Sequence, residues 1–301
     1  MSTVIKVQVP GSTSNCGAGF DTLGLGLQIY NTVTLCVTGK HGTHPVRESD
    51  ARAAQMVKSV CRAFEQSGHS IPVGFTYQID GDVPVSRGLG SSITVLAGVL
   101  GGLNAIAGKP LSDVDMVKIL TRIEGHPDNA TAGLWGGFCV ARCGATAAEF
   151  VDVVRVELPE SLKFVVVSPR TEIATHGSRQ VLPASVRHGD AVRSVNSAAY
   201  LTAAIASGDF SKLRGAAEDF LHEPYRLPGI PGAALAIQAG IGAGALTGWL
   251  SGSGSSVLCV SEEAQAAAVG AAMKQAFTEF ECESTGRILS ADNRGMVIRE
   301  G

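Results

Sequence analysis

Residues 83–96 read V-P-V-S-R-G-L-G-S-S-I-T-V-L, a stretch whose chemistry suits phosphate oxygens. Pro84 leads into the loop, and Gly88 and Gly90, on either side of Leu89, permit backbone angles and close approach that a Cβ forbids. The apolar run behind Ser91 and Ser92 predicts a helix starting at the serines. The first N–H groups of that helix lack intrahelical partners, and its dipole is positive at that end. Such a loop can cradle phosphate. The two hydroxyls can cap the helix, bind phosphate, or ligate a magnesium ion that bridges phosphates. A tight turn with a serine cap would look the same locally. Ile93 stands where G-x-G-x-x-G needs its third glycine, and no lysine follows as in a Walker loop.

Other polar groups are concentrated in four short segments. G-S-T-S-N-C-G-A-G-F-D carries Asn15 and Asp21, residue types that also cap local backbone in a ligand-free loop. E-G-H-P-D-N supplies Glu124, His126, Asp128 and Asn129. Glu124 falls at the negative end of a predicted helix, a placement explained most simply by a nearby cation. His126 either contacts a ligand or holds its turn. H-E-P-Y-R ends in Arg226, and S-G-S-G-S-S covers residues 251–256. His41 and His44, in K-H-G-T-H-P, read as loop residues and not as metal ligands.

These groups need a scaffold, and its outline is visible. Alternation predicts strands over Ile5–Val9, Ile29–Val37 and Val73–Ile79. Helices are expected over Asp50–Gln66, Ser91–Ala107, and from Ser112-x-x-Asp115 to Glu124, the last opened by a capping pattern. Strand-like structure is expected from Leu134 to Val140, and a composition shift at residues 145–150 suggests domains 1–150 and 151–301. The second half shows strands near Val151–Val156, Phe164–Val167 and Val257–Val260, a polar helical stretch carrying Thr175 and Arg179, and a helix over Ala264–Phe277. Strands and helices that do not strictly alternate favour an α+β fold.

Composition narrows the function classes. The 301 residues are 45% hydrophobic and 17% charged, with a net charge of −3 and no basic block. That argues against nucleic acid or an anionic membrane as partner. Ala233–Leu250 is apolar but interrupted by Gln238, Thr247 and glycines, so no membrane span is expected. Seven scattered cysteines without a disulfide or zinc spacing suit a reducing compartment. The opening M-S-T-V-I-K-V-Q-V-P does not read as a secretory leader. The expected location is cytoplasmic.

The pattern P-x-x-x-G-L-G-S-S resembles the phosphate loop of the galacto-, homoserine, mevalonate and phosphomevalonate kinase superfamily. S-N-C-G-A-G-F-D-T-L-G-L, E-G-H-P-D-N and L-H-E-P-Y-R-L-P-G-I-P-G together resemble homoserine kinases within it, and S-G-S-G-S-S-V-L is similar to the superfamily's third motif. The resemblance implies a ribosomal-protein-S5-like N-terminal domain and a ferredoxin-like C-terminal domain. It also implies ATP-dependent phosphorylation of the side-chain hydroxyl of L-homoserine, a step toward threonine.

The resemblance further implies residue roles. ATP would sit on Pro84, Gly88, Leu89, Gly90, Ser91 and Ser92, with magnesium on Ser92 and Glu124. Arg179 and Arg226 would clamp the substrate carboxylate, to which the guanidinium fork is suited. Asp21 and Asp128 would pair with its ammonium, with His126 and Thr175 nearby, and Asn15 and Asn129 would orient the alcohol. Phosphoryl transfer depends mainly on positioning and charge neutralisation, so direct transfer without a general base is expected, Asp128 being the only local candidate. A homodimer is an open expectation. Ile93, Cys16 and Thr131-Ala132-Gly133 depart from the usual pattern.

Overall fold

The computed structural model describes residues 3–38, 42–71, 73–170 and 177–301. The first sheet is laid down by β1 (Val4–Ser14), β2 (Leu23–Thr38), β3 (Thr43–Pro45), β4 (Gly74–Gly81), β5 (Phe138–Cys143) and β6 (Phe150–Val156). The second follows as β7 (Leu162–Pro169), β8 (Thr247–Leu250), β9 (Val257–Glu262) and β10 (Ser284–Ser290), after which β11 (Val297–Glu300) returns to the first. The first sheet runs β11-β1-β2-β4-β3, with β5 on β2 and β6 on β5. At 16 residues β2 is long enough to pair with β5 over Leu23–Leu25 and with β4 over Asn31–Thr38. Its register against β1 shifts between Pro10 and Gly11, where proline brings no N–H to the ladder. The shift allows β1 to continue to Ser14 instead of ending at Pro10.

Four helices accompany the first sheet: α1 (Ala54–Gln66), α2 (Ser91–Ile106), α3 (Asp113–Glu124) and α4 (Asp128–Trp135). The central one, α2, is buried from Ile93 through Asn104. Its Ile93, Leu96, Leu100 and Leu103 share a core with Val7, Val9, Val33 and Leu35 of the sheet and Phe64 of α1. Gly98 and Gly102 let α2 approach the sheet, since a Cβ there would stand 2.3 Å from Val33 and 2.5 Å from Leu35. The α3 capping box forms as expected: Ser112 Oγ accepts from the Asp115 N–H at 3.2 Å, and Asp115 Oδ2 accepts from the Ser112 N–H at 3.1 Å. Such a cap contributes about 1 kcal/mol.

The second half adds α5 (His188–Ser207), the single turn α6 (Glu223–Arg226), α7 (Ala233–Gly242) and α8 (Glu263–Thr278). Its sheet order, β10-β7-β9-β8, with helices after the first and third of these strands in the chain, is the ferredoxin-like βαββαβ arrangement. Both faces of this sheet are buried, so β7 is a continuous apolar run. Phe164 and Val166 face β2 and α5, while Val165 and Val167 face α7 and α8. Among the described residues no helix is long and apolar enough to cross a membrane.

Several local expectations change. The seam drawn at residue 150 would cut the β5–β6 hairpin, where Phe138 pairs with Val156 and Ala141 with Val153. Sheet membership instead changes between Val156 and Leu162, and β11 belongs to the first sheet. The strand expected from Leu134 starts at Phe138 because Asp128–Trp135 is helical. The α1 helix begins at Ala54; before it, Glu48–Ala53 forms a tighter 3-10 turn tied by Arg47 to Asp50. Thr175 lies outside the described residues, and Arg179 sits in a turn ahead of α5, not on a helix.

Candidate active site

Gly88 and Gly90 both adopt the left-handed backbone, at φ +75° and +68°. Their reasons differ in detail. A Cβ on Gly88 would stand 1.9 Å from the Ser251 carbonyl oxygen, and one on Gly254 would stand 2.1 Å from the Gly88 nitrogen. The 83–90 loop and the 251–256 loop therefore meet backbone to backbone. A Cβ on Gly90 would meet the Ser12 hydroxyl at 2.2 Å, so the obstruction there is β1 and not a phosphate. The Leu89 side chain is buried in the core between the sheets, and its carbonyl accepts from the Ser12 N–H, which leaves it an anchor. Neither Ser91 nor Ser92 caps α2; Gly90 occupies that position and the first-turn N–H groups lack a side-chain cap.

Ser92 Oγ donates to Glu124 Oε1 at 2.6 Å. Burial pushes the Glu124 carboxyl up, against the lowering influence of Ser92 and His126. A partly desolvated carboxylate touching a hydroxyl at the start of α2 is a donor set that suits magnesium, which favours carboxylate and hydroxyl oxygens.

The helix α4 presents Asp128 and Asn129. Asp128 Oδ1 accepts from the Asn129 N–H at 2.6 Å and lies 2.5 Å from His126 Nδ1. Burial works against charging His126, but Asp128, Asp21 and Glu124 outweigh it and raise its pKa to about 9. His126 therefore favours its protonated form at neutral pH. One ligand-capable atom each of Asp21, His126 and Asp128 lie within 4.8 Å of one another. Two acidic side chains around one imidazole make this trio a place for a cationic ligand.

Asn129 Oδ1 accepts from Ser12 Oγ at 2.8 Å and its Nδ2 donates to Ser14 Oγ at 3.2 Å. A Cβ on Gly90 would lie 3.4 Å from the same Oδ1, so Asn129 stands between the phosphate loop and Asp128. Asn15 is different. Its Oδ1 accepts from the Asp21 N–H at 3.0 Å and its Nδ2 donates to the Gly252 carbonyl at 3.1 Å. Asn15 is buried and bonded on both sides to backbone groups, which holds the turn in place, whereas Asn129 is half-buried and bonded to serine hydroxyls.

Asp21 and Arg179 form a two-pronged pair, at 2.7 and 2.9 Å. Arg226 is 6% exposed and has no ion pair among the described residues. Its Nε donates to the Ser178 carbonyl, and its Nη1 approaches the Gly252 carbonyl and His222 Nδ1. Burial, then Arg179, lower its pKa. His222 Nε2 lies 2.9 Å from the Gly17 carbonyl, which can only accept, so Nε2 carries the proton and Nδ1 accepts from Arg226. Burial holds His222 below its ordinary value, consistent with that neutral tautomer.

Residues 54–137 match the family GHMP kinases N terminal domain, and residues 201–279 match GHMP kinases C terminal. Homoserine kinase from Moorella thermoacetica is 39% identical, over 97% of this chain and 99% of its own. Homoserine kinase from Microchaete diplosiphon is 35% identical, over 97% and 96%. The crystal structure of homoserine kinase from Cytophaga hutchinsonii superposes with a TM-score of 0.87 at 27% identity, over 98% of this chain and 97% of that one. This chain belongs to the homoserine kinase family.

Within this family framework the three unusual segments are accommodated structurally. Ile93 is buried in the first core, and Cys16 is a fully buried thiol whose pKa is raised by burial. Thr131 Oγ1 is 3.0 Å from the carbonyls of both Pro127 and Asp128, within its own helix. Ser12 and Ser14, which orient Asn129, and His222, which receives Arg226, were not anticipated. The only local hint of the serines was the polar G-S-T-S run after Pro10.

Proposed function

We propose that this chain transfers the terminal phosphoryl group of ATP to the side-chain hydroxyl of L-homoserine. The observation that carries this reading is the place of Asn129, between Gly90 of the phosphate loop and Asp128 of the cation-binding trio. The N–H groups at the start of α2, with Ser91 and Ser92, hold the phosphates. Ser92 and Glu124 would hold magnesium, which would supply charge neutralisation at the phosphates. Arg226, buried and without an acid partner among the described residues, takes the substrate carboxylate alongside Arg179. Asp21 and Asp128 face the ammonium, and Asn129 orients the alcohol. The first-sheet unit binds ATP, and the second supplies Arg226 and the 251–256 loop that completes the site.

Asp128 already holds a protonated His126 and a backbone N–H on one oxygen, an arrangement for fixing a cation and not for removing a proton. Transfer is therefore direct, driven by alignment and charge neutralisation. A kinase for an uncharged alcohol would leave Arg226 without a ligand carboxylate. Turnover with magnesium-ATP on L-homoserine, L-serine, L-threonine, mevalonate and galactose tests the proposal. Preference for L-homoserine is expected; equal or better use of mevalonate or galactose would refute it.

A further inference from the structure

Phe20, in the turn between β1 and β2, brings one aromatic ring against three cationic or titratable side chains. It stacks on the His222 imidazole, with centroids 5.2 Å apart and planes inclined by 29°. The Arg226 guanidinium carbon lies over the ring at 5.1 Å from its centroid, and that of Arg179 at 5.3 Å. Both distances are inside the ~6 Å reach of a cation–π contact.

Two neighbouring guanidinium groups repel, and among the described residues only one has a carboxylate partner, Asp21. No acceptor among the described residues engages Nη2 of Arg226. An aromatic face attracts cations through its quadrupole without occupying their N–H groups. A carboxylate at the same place would bind the arginines too, but would consume the donors that a ligand needs. An aliphatic side chain would fill the space and attract neither.

We propose that Phe20 is a positioning residue, its π face setting the spacing of Arg179 and Arg226 so that both present free donors to the substrate carboxylate. This role presupposes the homoserine reading above. It makes Phe20 a determinant of selectivity for alcohols that carry a carboxylate.

The test replaces Phe20 by ring-fluorinated phenylalanines of rising fluorine content, which weaken the quadrupole at nearly constant shape, and by Phe20→Leu and Phe20→Tyr. L-homoserine KM should climb stepwise with fluorination and reach roughly tenfold for Phe20→Leu, the order of two partly exposed cation–π contacts. KM should change more than kcat or the ATP KM, and Phe20→Tyr should restore most of the loss. A flat fluorination series, with wild-type turnover intact, would overturn the platform and leave the homoserine reading standing. Absence of wild-type turnover on L-homoserine would overturn both. Thermal melts separate the Phe20→Leu result from misfolding, and the fluorinated series does not depend on that variant.

Discussion

Ser92 donates a 2.6 Å hydrogen bond to Glu124, joining the first turn of α2 to the last turn of α3. The two residues are 32 positions apart in the chain, yet they meet as a hydroxyl–carboxylate pair that would suit magnesium. Replacing Glu124 by Gln keeps the shape and removes the charge. The magnesium concentration for half-maximal rate should then rise by roughly 10- to 100-fold or more, as when support of a metal site is lost. Rate measured against free magnesium at fixed ATP checks this, and an unchanged curve would remove Glu124 from the site.

Gly88 and Gly90 should differ in how they fail. Alanine at either position incurs the ~1–2 kcal/mol cost of a left-handed L-residue. At Gly88 the new methyl also meets the Ser251 backbone at 1.9 Å, which cannot turn aside. At Gly90 it meets the rotatable Ser12 hydroxyl at 2.2 Å. Urea unfolding should show the larger loss for Gly88→Ala, and the double variant Ser12→Ala/Gly90→Ala should recover part of the Gly90→Ala loss. Equal losses with no recovery would mean that strain alone decides.

Arg226→Ala should raise the L-homoserine KM by an amount on the order of 2–5 kcal/mol, typical of truncating one partner of a buried charge pair. The ATP KM should change little. Arg226→Lys should not rescue, because an ammonium cannot supply the fork. Initial-rate kinetics varying each substrate separately decide the matter.

The His126–Asp128 pair predicts a pH dependence. His126 has a folded-state pKa raised to about 9 from the ordinary 6.5, so folding favours its protonated form. The stability it adds is fully present below 6.5 and lost as pH climbs through about 9. His126→Ala strands a buried Asp128 and should cost on the order of 3–5 kcal/mol at pH 6. The gap to wild type should narrow above pH 9. Denaturant melts across that range would contradict the pairing if the gap stayed constant.

The 83–96 loop and the helix behind it were readable because their signal is local: two glycines forced by backbone angle, then an apolar helix. The capping box of α3 was readable for the same reason. Helix α4 was not, since D-N-A-T-A-G-L-W is short, contains Gly133 and shows no apolar stripe. The end of β1 was hidden by Pro10, whose missing N–H reads as a stop until the register shift beside it is seen. Asn15 and Asn129 offer identical chemistry, and only their partners distinguish an anchor from a group facing the site. The Phe20–His222 stack joins residues 202 positions apart by number alone, so no local pattern announces it.

β1 has β2 on one side and, on the other, β11, which arrives only after the chain has built the second sheet. The two halves are thus interlocked and do not follow one another like beads on a string. A fragment ending at Val156 would keep the helices that cover the first sheet and lose the strand that seals it. The flank of β1 from Ile5 to Gln8 would then display bare N–H and C=O groups, a template for a strand from another copy. Dissecting the molecule at its apparent midpoint should therefore give a self-associating fragment instead of a free-standing ATP-binding unit.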